Sequence, residues 1–139
     1  PPQKPARIVL GRSIDFSPDE PLFQNCGRII LAGRHYAEQL PSSAERWSIA
    51  EERLDLSFSA LRKRAGEEGM HHLLVETGAE WIETLLAAGE FNRLILLKSK
   101  AFAERGLRWS PGLEWARTHL KIARFAPVGD DDLYDFRPV

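Results

Sequence analysis

The residues with most chemistry to offer lie in one run, His71-His72-Leu73-Leu74-Val75-Glu76-Thr77-Gly78-Ala79-Glu80-Trp81. It reads as a buried strand that ends in a carboxylate, a small turn and a helix start. Ligands of open α/β sheets bind beyond the carboxyl ends of strands, which is where Glu76 falls. The amides around Gly78, Ala79 and Glu80 would point from the helix N-terminus toward the same crevice, where unpaired N–H groups and the helix dipole favour a phosphate. Gly78 has no Cβ, so an anion could approach the backbone closely. The competing interpretation is that Glu76 caps the helix and Gly78 only makes a tight turn, and spacing alone favours that interpretation, since a lone glycine at such a turn is a weak signal.

Four histidines, His35, His71, His72 and His119, could bind metal or shuttle protons. His71 and His72 are adjacent at a strand start and face opposite sides, so they cannot serve one ion together, and no metal site is expected. His119 reads as a surface histidine opening a strand. Cys26, the only cysteine, lies beside Gly27 and reads as a buried inert thiol rather than a nucleophile. Trp109 and Trp115 flank Ser110-Pro111-Gly112 in a long connection; aromatics there can stack on a heterocycle, but a core edge or an interface is the simpler role. Lys98, Lys100, Arg105 and Arg108, mixed with Glu104, read as a solvated surface.

These residues need elements to hold them. Arg7-Ile8-Val9-Leu10-Gly11 and Arg28-Ile29-Ile30-Leu31-Ala32-Gly33 are short apolar runs bounded by turn formers, the pattern of buried strands. Ser17-Pro18-Asp19-Glu20-Pro21 between them is loop chemistry. Residues 34–40 suggest one or two helical turns stopped by Pro41, and residues 47–49 a short strand. Asp55 is the expected N-cap of a helix carrying Leu56, Phe58, Leu61 and Ala65 near one face and closed by Gly69. Residues 72–75 are expected as a further strand. A second helix follows Gly78, with Trp81, Ile82, Leu85 and Leu86 as its apolar stripe and Gly89 as its stop. Leu94-Ile95-Leu96-Leu97 is a fourth apolar run, and the chain closes on an antiparallel hairpin turning at Gly129-Asp130. The order predicts an α/β fold, a mixed and mostly parallel sheet with flanking helices and a C-terminal antiparallel hairpin.

Composition narrows the partners. The chain has 139 residues, 43% hydrophobic and 28% charged, which suits one globular domain. Nineteen Lys and Arg against 20 Asp and Glu leave a net charge of −1, so no basic field exists to hold a nucleic acid backbone. No apolar run approaches the roughly 20 residues needed to cross a bilayer, and no leader opens the chain, so no membrane partner is expected. A single cysteine permits no intrachain disulfide and fits a reducing cytoplasm. The opening Pro1-Pro2-Gln3-Lys4-Pro5 reads as a connection within a longer polypeptide.

Over residues 5–138 the chain resembles the C-terminal reductase domain of the bifunctional riboflavin-biosynthesis deaminase/reductase, whose fold is similar to dihydrofolate reductase. The resemblance rests on Pro5-Ala6-Arg7-Ile8-Val9-Leu10 with Pro18 downstream, on Leu73-Leu74-Val75-Glu76-Thr77-Gly78-Ala79-Glu80 followed by Leu85-Leu86-Ala87-Ala88-Gly89, and on Val128-Gly129-Asp130-Asp131-Asp132-Leu133. The middle motif is the specific one; its usual form is Val-Glu-Gly-Gly, so Thr77 replaces the first glycine. Gly11-Arg12 stands where the family commonly has an Asp-Ser type pair, and the Gly-Gly usual after the fourth strand is missing around residues 100–105.

The resemblance implies an NADPH-dependent reductase acting on a small phosphorylated aminopyrimidine, 5-amino-6-(5-phosphoribosylamino)uracil. Hydride delivered to C1′ of its ribosylamino group would open the sugar to a ribityl chain. Glu76 is then the substrate contact, and Gly78, Ala79, Glu80, Trp81 and Ile82 line the nucleotide phosphates. Arg12 could pair with the 2′-phosphate of NADPH as a charge-assisted donor. No proton donor is identified. Residues 1–139 are expected to be a single, partial reductase domain lacking the strand and helix with which the family's domain begins, cytoplasmic, homo-oligomeric, and fused to a deaminase domain in the parent chain. The alternative is a non-catalytic binding or dimerisation module with the same fold.

Overall fold

The structure, a computed structural model, describes residues 4–24, 27–101 and 118–139. The chain divides into two compact units, Pro1–Leu74 and Val75–Val139.

The first unit contains strand β1 (Arg7–Ile14), a 3₁₀ turn (Pro21–Phe23), strands β2 (Ile29–Tyr36) and β3 (Glu45–Ser48), and helix α1 (Leu54–Glu67). The strands pair in the order β1-β2-β3 and run parallel throughout. β2 is central and buried from Ile29 to Gly33, because a parallel strand covered on both faces must be apolar without alternation. Ile14, Ile29, Leu31, Leu40 and Ala44 form a core cluster, with Val9, Phe16, Phe23, Tyr36 and Ala37 packed against it. Trp47 is buried beside Ala32, and the Arg64 guanidinium of α1 lies 4.5 Å from its ring centroid. That stacking seats α1 on β3 while Phe58, Leu61 and Ala65 turn inward and Leu56 stays exposed. A Cβ on Gly33 would fall inside van der Waals contact of the Gly11 carbonyl oxygen, so glycine lets β1 and β2 approach there.

Three local expectations change. Residues 34–36 continue β2 rather than turning helical: His35 pairs with Ser13 and Tyr36 with Ile14, and the Tyr36 hydroxyl donates to the Trp47 carbonyl at 2.6 Å while accepting from the Gly33 amide at 3.0 Å. Helix α1 takes Arg53 as N-cap in extended backbone; Asp55 lies in the first turn, where it complements the helix dipole and accepts twice from Arg53, at 3.2 and 2.6 Å. Residues 72–75 form no strand, and Leu74 is 84% exposed. An apolar run becomes a strand only with a ladder partner, and none of the strands described pairs with it.

The second unit opens with helix α2 (Ala79–Ala87), followed by β4 (Leu94–Ser99), β5 (Leu120–Val128) and β6 (Asp131–Pro138). Its sheet order is β4-β6-β5, antiparallel throughout. The expected hairpin is present, with Gly129 at φ 61° in its turn. Gly69 and Gly89 close α1 and α2 at φ 79° and 68°, as expected, and the amides of Met70 and Glu90 reach back to the carbonyls of Ala65 and Leu85 at 2.8 and 3.0 Å. On β6, Asp135 is 5% exposed and accepts from Arg93 Nε and Nη2 at 3.1 and 2.9 Å. Hydrogen bonding to Arg93 first, and then the charges of Arg93, Arg137 and Arg124, hold its carboxyl below the usual range against the opposing effect of burial.

Candidate functional site

In the second unit, the turn into α2 carries Glu76, Gly78, Ala79, Glu80, Trp81 and Ile82 in one contiguous stretch. Glu76 is exposed on irregular backbone two residues before the helix cap. Gly78 is the N-cap, at φ −76° and ψ 170°, and no side chain caps the helix. The first intrahelical bond runs from the Ile82 amide to the Gly78 carbonyl at 3.1 Å, so the amides of Ala79, Glu80 and Trp81 precede the ladder and have no intrahelical acceptor.

At Gly78 neither backbone nor packing calls for glycine. Its φ is one any residue adopts, and a Cβ built there would meet nothing within 4 Å. The space beside the Gly78 Cα is open, and a serine or aspartate, which would cap better, is not used. Glu80 is exposed in the first turn and places a negative charge beside the same amides, so a bound anion would meet both the helix dipole and this carboxylate.

In the first unit, Arg12 is exposed on β1 between the register pairs Gly11–Gly33 and Ser13–His35, which puts it alongside Arg34 of β2. Arg34 Nη1 donates to Glu52 Oε1 at 2.6 Å. The hydrogen bond from Arg34, then the charges of Arg34 and Arg12, hold the Glu52 carboxyl below its usual range. Arg34 is thus paired with this carboxylate while Arg12 acts on it only through its charge, toward the carboxyl end of the parallel sheet. Sequence reading missed Arg34 and Glu52. The signal lay in the run Ile29-Ile30-Leu31-Ala32-Gly33, which continues as strand through Arg34 instead of stopping at the glycine.

The remaining candidates are dispersed. His35, His71 and His72 are exposed, and His119 Nδ1 lies 2.7 Å from Thr118 Oγ1. Lys98 is exposed, and Lys100 Nζ is 3.9 Å from Asp132 Oδ1. Among the described residues no three His, Cys, Asp or Glu side chains group as metal ligands, and no helix is long and apolar enough to cross a membrane. Cys26, Glu104, Arg105, Arg108, Trp109, Trp115 and the Ser110-Pro111-Gly112 turn lie outside the described residues.

No protein-family model matches the chain, and no curated protein matches it in sequence. Among solved structures it is similar to a Thermotoga maritima diaminohydroxyphosphoribosylaminopyrimidine deaminase/5-amino-6-(5-phosphoribosylamino)uracil reductase, with a TM-score of 0.75 and 18% identity. The match covers 99% of this chain and 38% of that one. The likeness is one of fold, and this chain spans little more than a third of that protein's length. The α/β fold expected from the sequence is thereby one that this chain shares with part of that solved structure.

Proposed function

We propose that residues 1–139 are one reductase domain, partial relative to its family, which serves the NADPH-dependent reduction of 5-amino-6-(5-phosphoribosylamino)uracil. The observation that carries this reading is the open, uncapped helix start at Gly78, set in the fold of a deaminase/reductase chain. NADPH carries a diphosphate and a 2′-phosphate, and each unit by itself holds groups of a kind that suits phosphate. The amides of Ala79, Glu80 and Trp81, with Gly78 leaving them uncovered and Ile82 starting the ladder behind them, suit the diphosphate. In the first unit, taken by itself, Arg12 with Arg34 beside it is a charge-assisted donor of the kind a 2′-phosphate takes. When bound, NADPH would supply the hydride.

The protein's own part is binding and orientation. Glu76 precedes the anion-binding amides and is assigned to the substrate, its carboxylate accepting hydrogen bonds from the aminopyrimidine. Glu52 neutralises one of the two arginines, which limits how strongly the first unit attracts anions when no ligand is present. The proposed setting is the cytoplasm, in a homo-oligomer whose parent chain also carries a deaminase domain.

The test uses the full-length protein. Titration with NADPH and with NADH, followed by single-turnover reduction of the aminopyrimidine, should give tight NADPH binding, weaker NADH binding and a ribityl product. Substrate binding without any reduction would favour the non-catalytic module, and failure to bind either nucleotide or substrate would end the reading.

A further inference from the structure

In the first unit, Glu52 is carried on a segment whose backbone is tied down on both sides. Before it, the Ile49 amide donates to the Gly33 carbonyl of β2 at 3.0 Å. Around it, the hydroxyl of buried Ser57 lies 3.0 Å from the Glu51 carbonyl and 2.9 Å from the Arg53 carbonyl, which moors the segment to the first turn of α1. The side chain is held far less: it is 74% exposed and is tied to the sheet by the hydrogen bond from Arg34 Nη1 at 2.6 Å. Arg12, on the neighbouring strand, acts on the same carboxylate through its charge. An exposed ion pair of this kind contributes little to stability, so turning Glu52 away from Arg34 costs little.

NADPH and NADH differ only at the 2′ position of the adenosine ribose, and the three side chains treat the two forms oppositely. A 2′-phosphate is attracted by guanidinium groups and repelled by a carboxylate. A 2′-hydroxyl is a donor that a carboxylate accepts, whereas a guanidinium has no acceptor to offer. Resting on the assignment of Arg12 and Arg34 to the 2′-phosphate, we infer that Glu52 is a specificity-determining residue: it accepts the ribose 2′-hydroxyl of NADH and opposes the 2′-phosphate of NADPH. The preference for NADPH is therefore narrower than the two arginines alone would set. A carboxylate that served only the fold would move both affinities together; this one moves them apart.

Calorimetric titration of the full-length protein with NADPH and with NADH tests this, with circular dichroism to confirm folding of each variant. Glu52→Ala should tighten NADPH binding by about threefold or more, the scale of one exposed charge, and weaken NADH binding by about threefold or more as its acceptor is lost. Glu52→Gln, which keeps an oxygen acceptor, should tighten NADPH likewise while retaining most of the NADH affinity. Arg34→Gln should act in the other direction, weakening NADPH by about tenfold and leaving NADH unchanged or tighter, because Glu52 is released. Glu52→Ala shifting both affinities the same way or shifting neither, or wild-type NADH binding too weak to measure, overturns the inference while the NADPH reading stands. A wild type that binds neither nucleotide ends that reading and this inference with it.

Discussion

Two glycines make opposite demands on a side chain, and substituting each separates packing from binding. At Gly33 the Gly11 carbonyl occupies the place of a Cβ, so Gly33→Ala should cost roughly 1–3 kcal/mol of stability, read from chemical denaturation. At Gly78 the space is empty, and Gly78→Val should leave the denaturation midpoint nearly unchanged while weakening NADPH binding by tenfold or more, as its methyl groups cover the amides. Equal losses at Gly78 would mark it as structural. Under the proposed assignment, Glu76→Gln should raise KM for the aminopyrimidine or lower kcat with NADPH affinity preserved, since the carboxylate precedes the amides assigned to the nucleotide. A collapse of NADPH affinity would reassign Glu76 to the nucleotide.

At the scale of elements, signals set by local backbone chemistry were legible in the sequence. Gly69, Gly89 and Gly129 all take positive φ where the pattern called for a helix stop or a hairpin turn, and β1, β2, β4 and the closing hairpin follow from apolar runs between turn formers. Gly129→Ala should accordingly lower stability by about 1 kcal/mol, through the cost of left-handed backbone for a residue with a Cβ, with the transition still cooperative in thermal melts. Features that depend on a distant partner were not legible. Arg34, His35 and Tyr36 look suited to a helical turn until β1 supplies Ser13 and Ile14 to pair with them. Residues 72–75 have the composition of a strand and no ladder. The helix start after Gly78 was readable from that glycine and the apolar pattern after it, whereas the Arg34–Glu52 pair spans 18 positions, and only the continuation of the apolar run into Arg34 hinted at one of its partners.

For the molecule as a whole, the near balance of 19 basic against 20 acidic residues conceals a strong local pairing of arginine with carboxylate. Glu45, Glu52, Asp55 and Asp135 are all held below their usual pKa range by hydrogen bonds to Arg28, Arg34, Arg53 and Arg93 respectively. A carboxyl whose pKa is depressed on folding stabilises the native state above its unfolded pKa, near 4, and loses that contribution as pH falls through the folded value. Thermal stability should therefore be level from neutral pH down to about 5 and decline below about 4. Asp135, with its side chain 7% exposed, should dominate. Arg93→Met should destabilise the protein at neutral pH and have much less effect once Asp135 is protonated. A variant whose deficit is the same at both pH values would show that Arg93 acts through packing instead.

The irregularity in β5 bears on which length changes this chain can survive. Ile122 pairs with Phe136 and Arg124 with Asp135, which leaves Ala123 as a supernumerary residue with no opposite number. Before it, even-numbered positions share a face with Tyr134 and Phe136; after it, odd-numbered ones do. Loss of one residue from a strand ordinarily turns everything beyond it to the wrong side. Loss of Ala123 would do the reverse, restoring strict alternation while keeping every other pairing from Leu120 to Val128. β5 thus contains a position where a single-codon deletion should be accepted, and the neighbouring deletion of Phe125 should not.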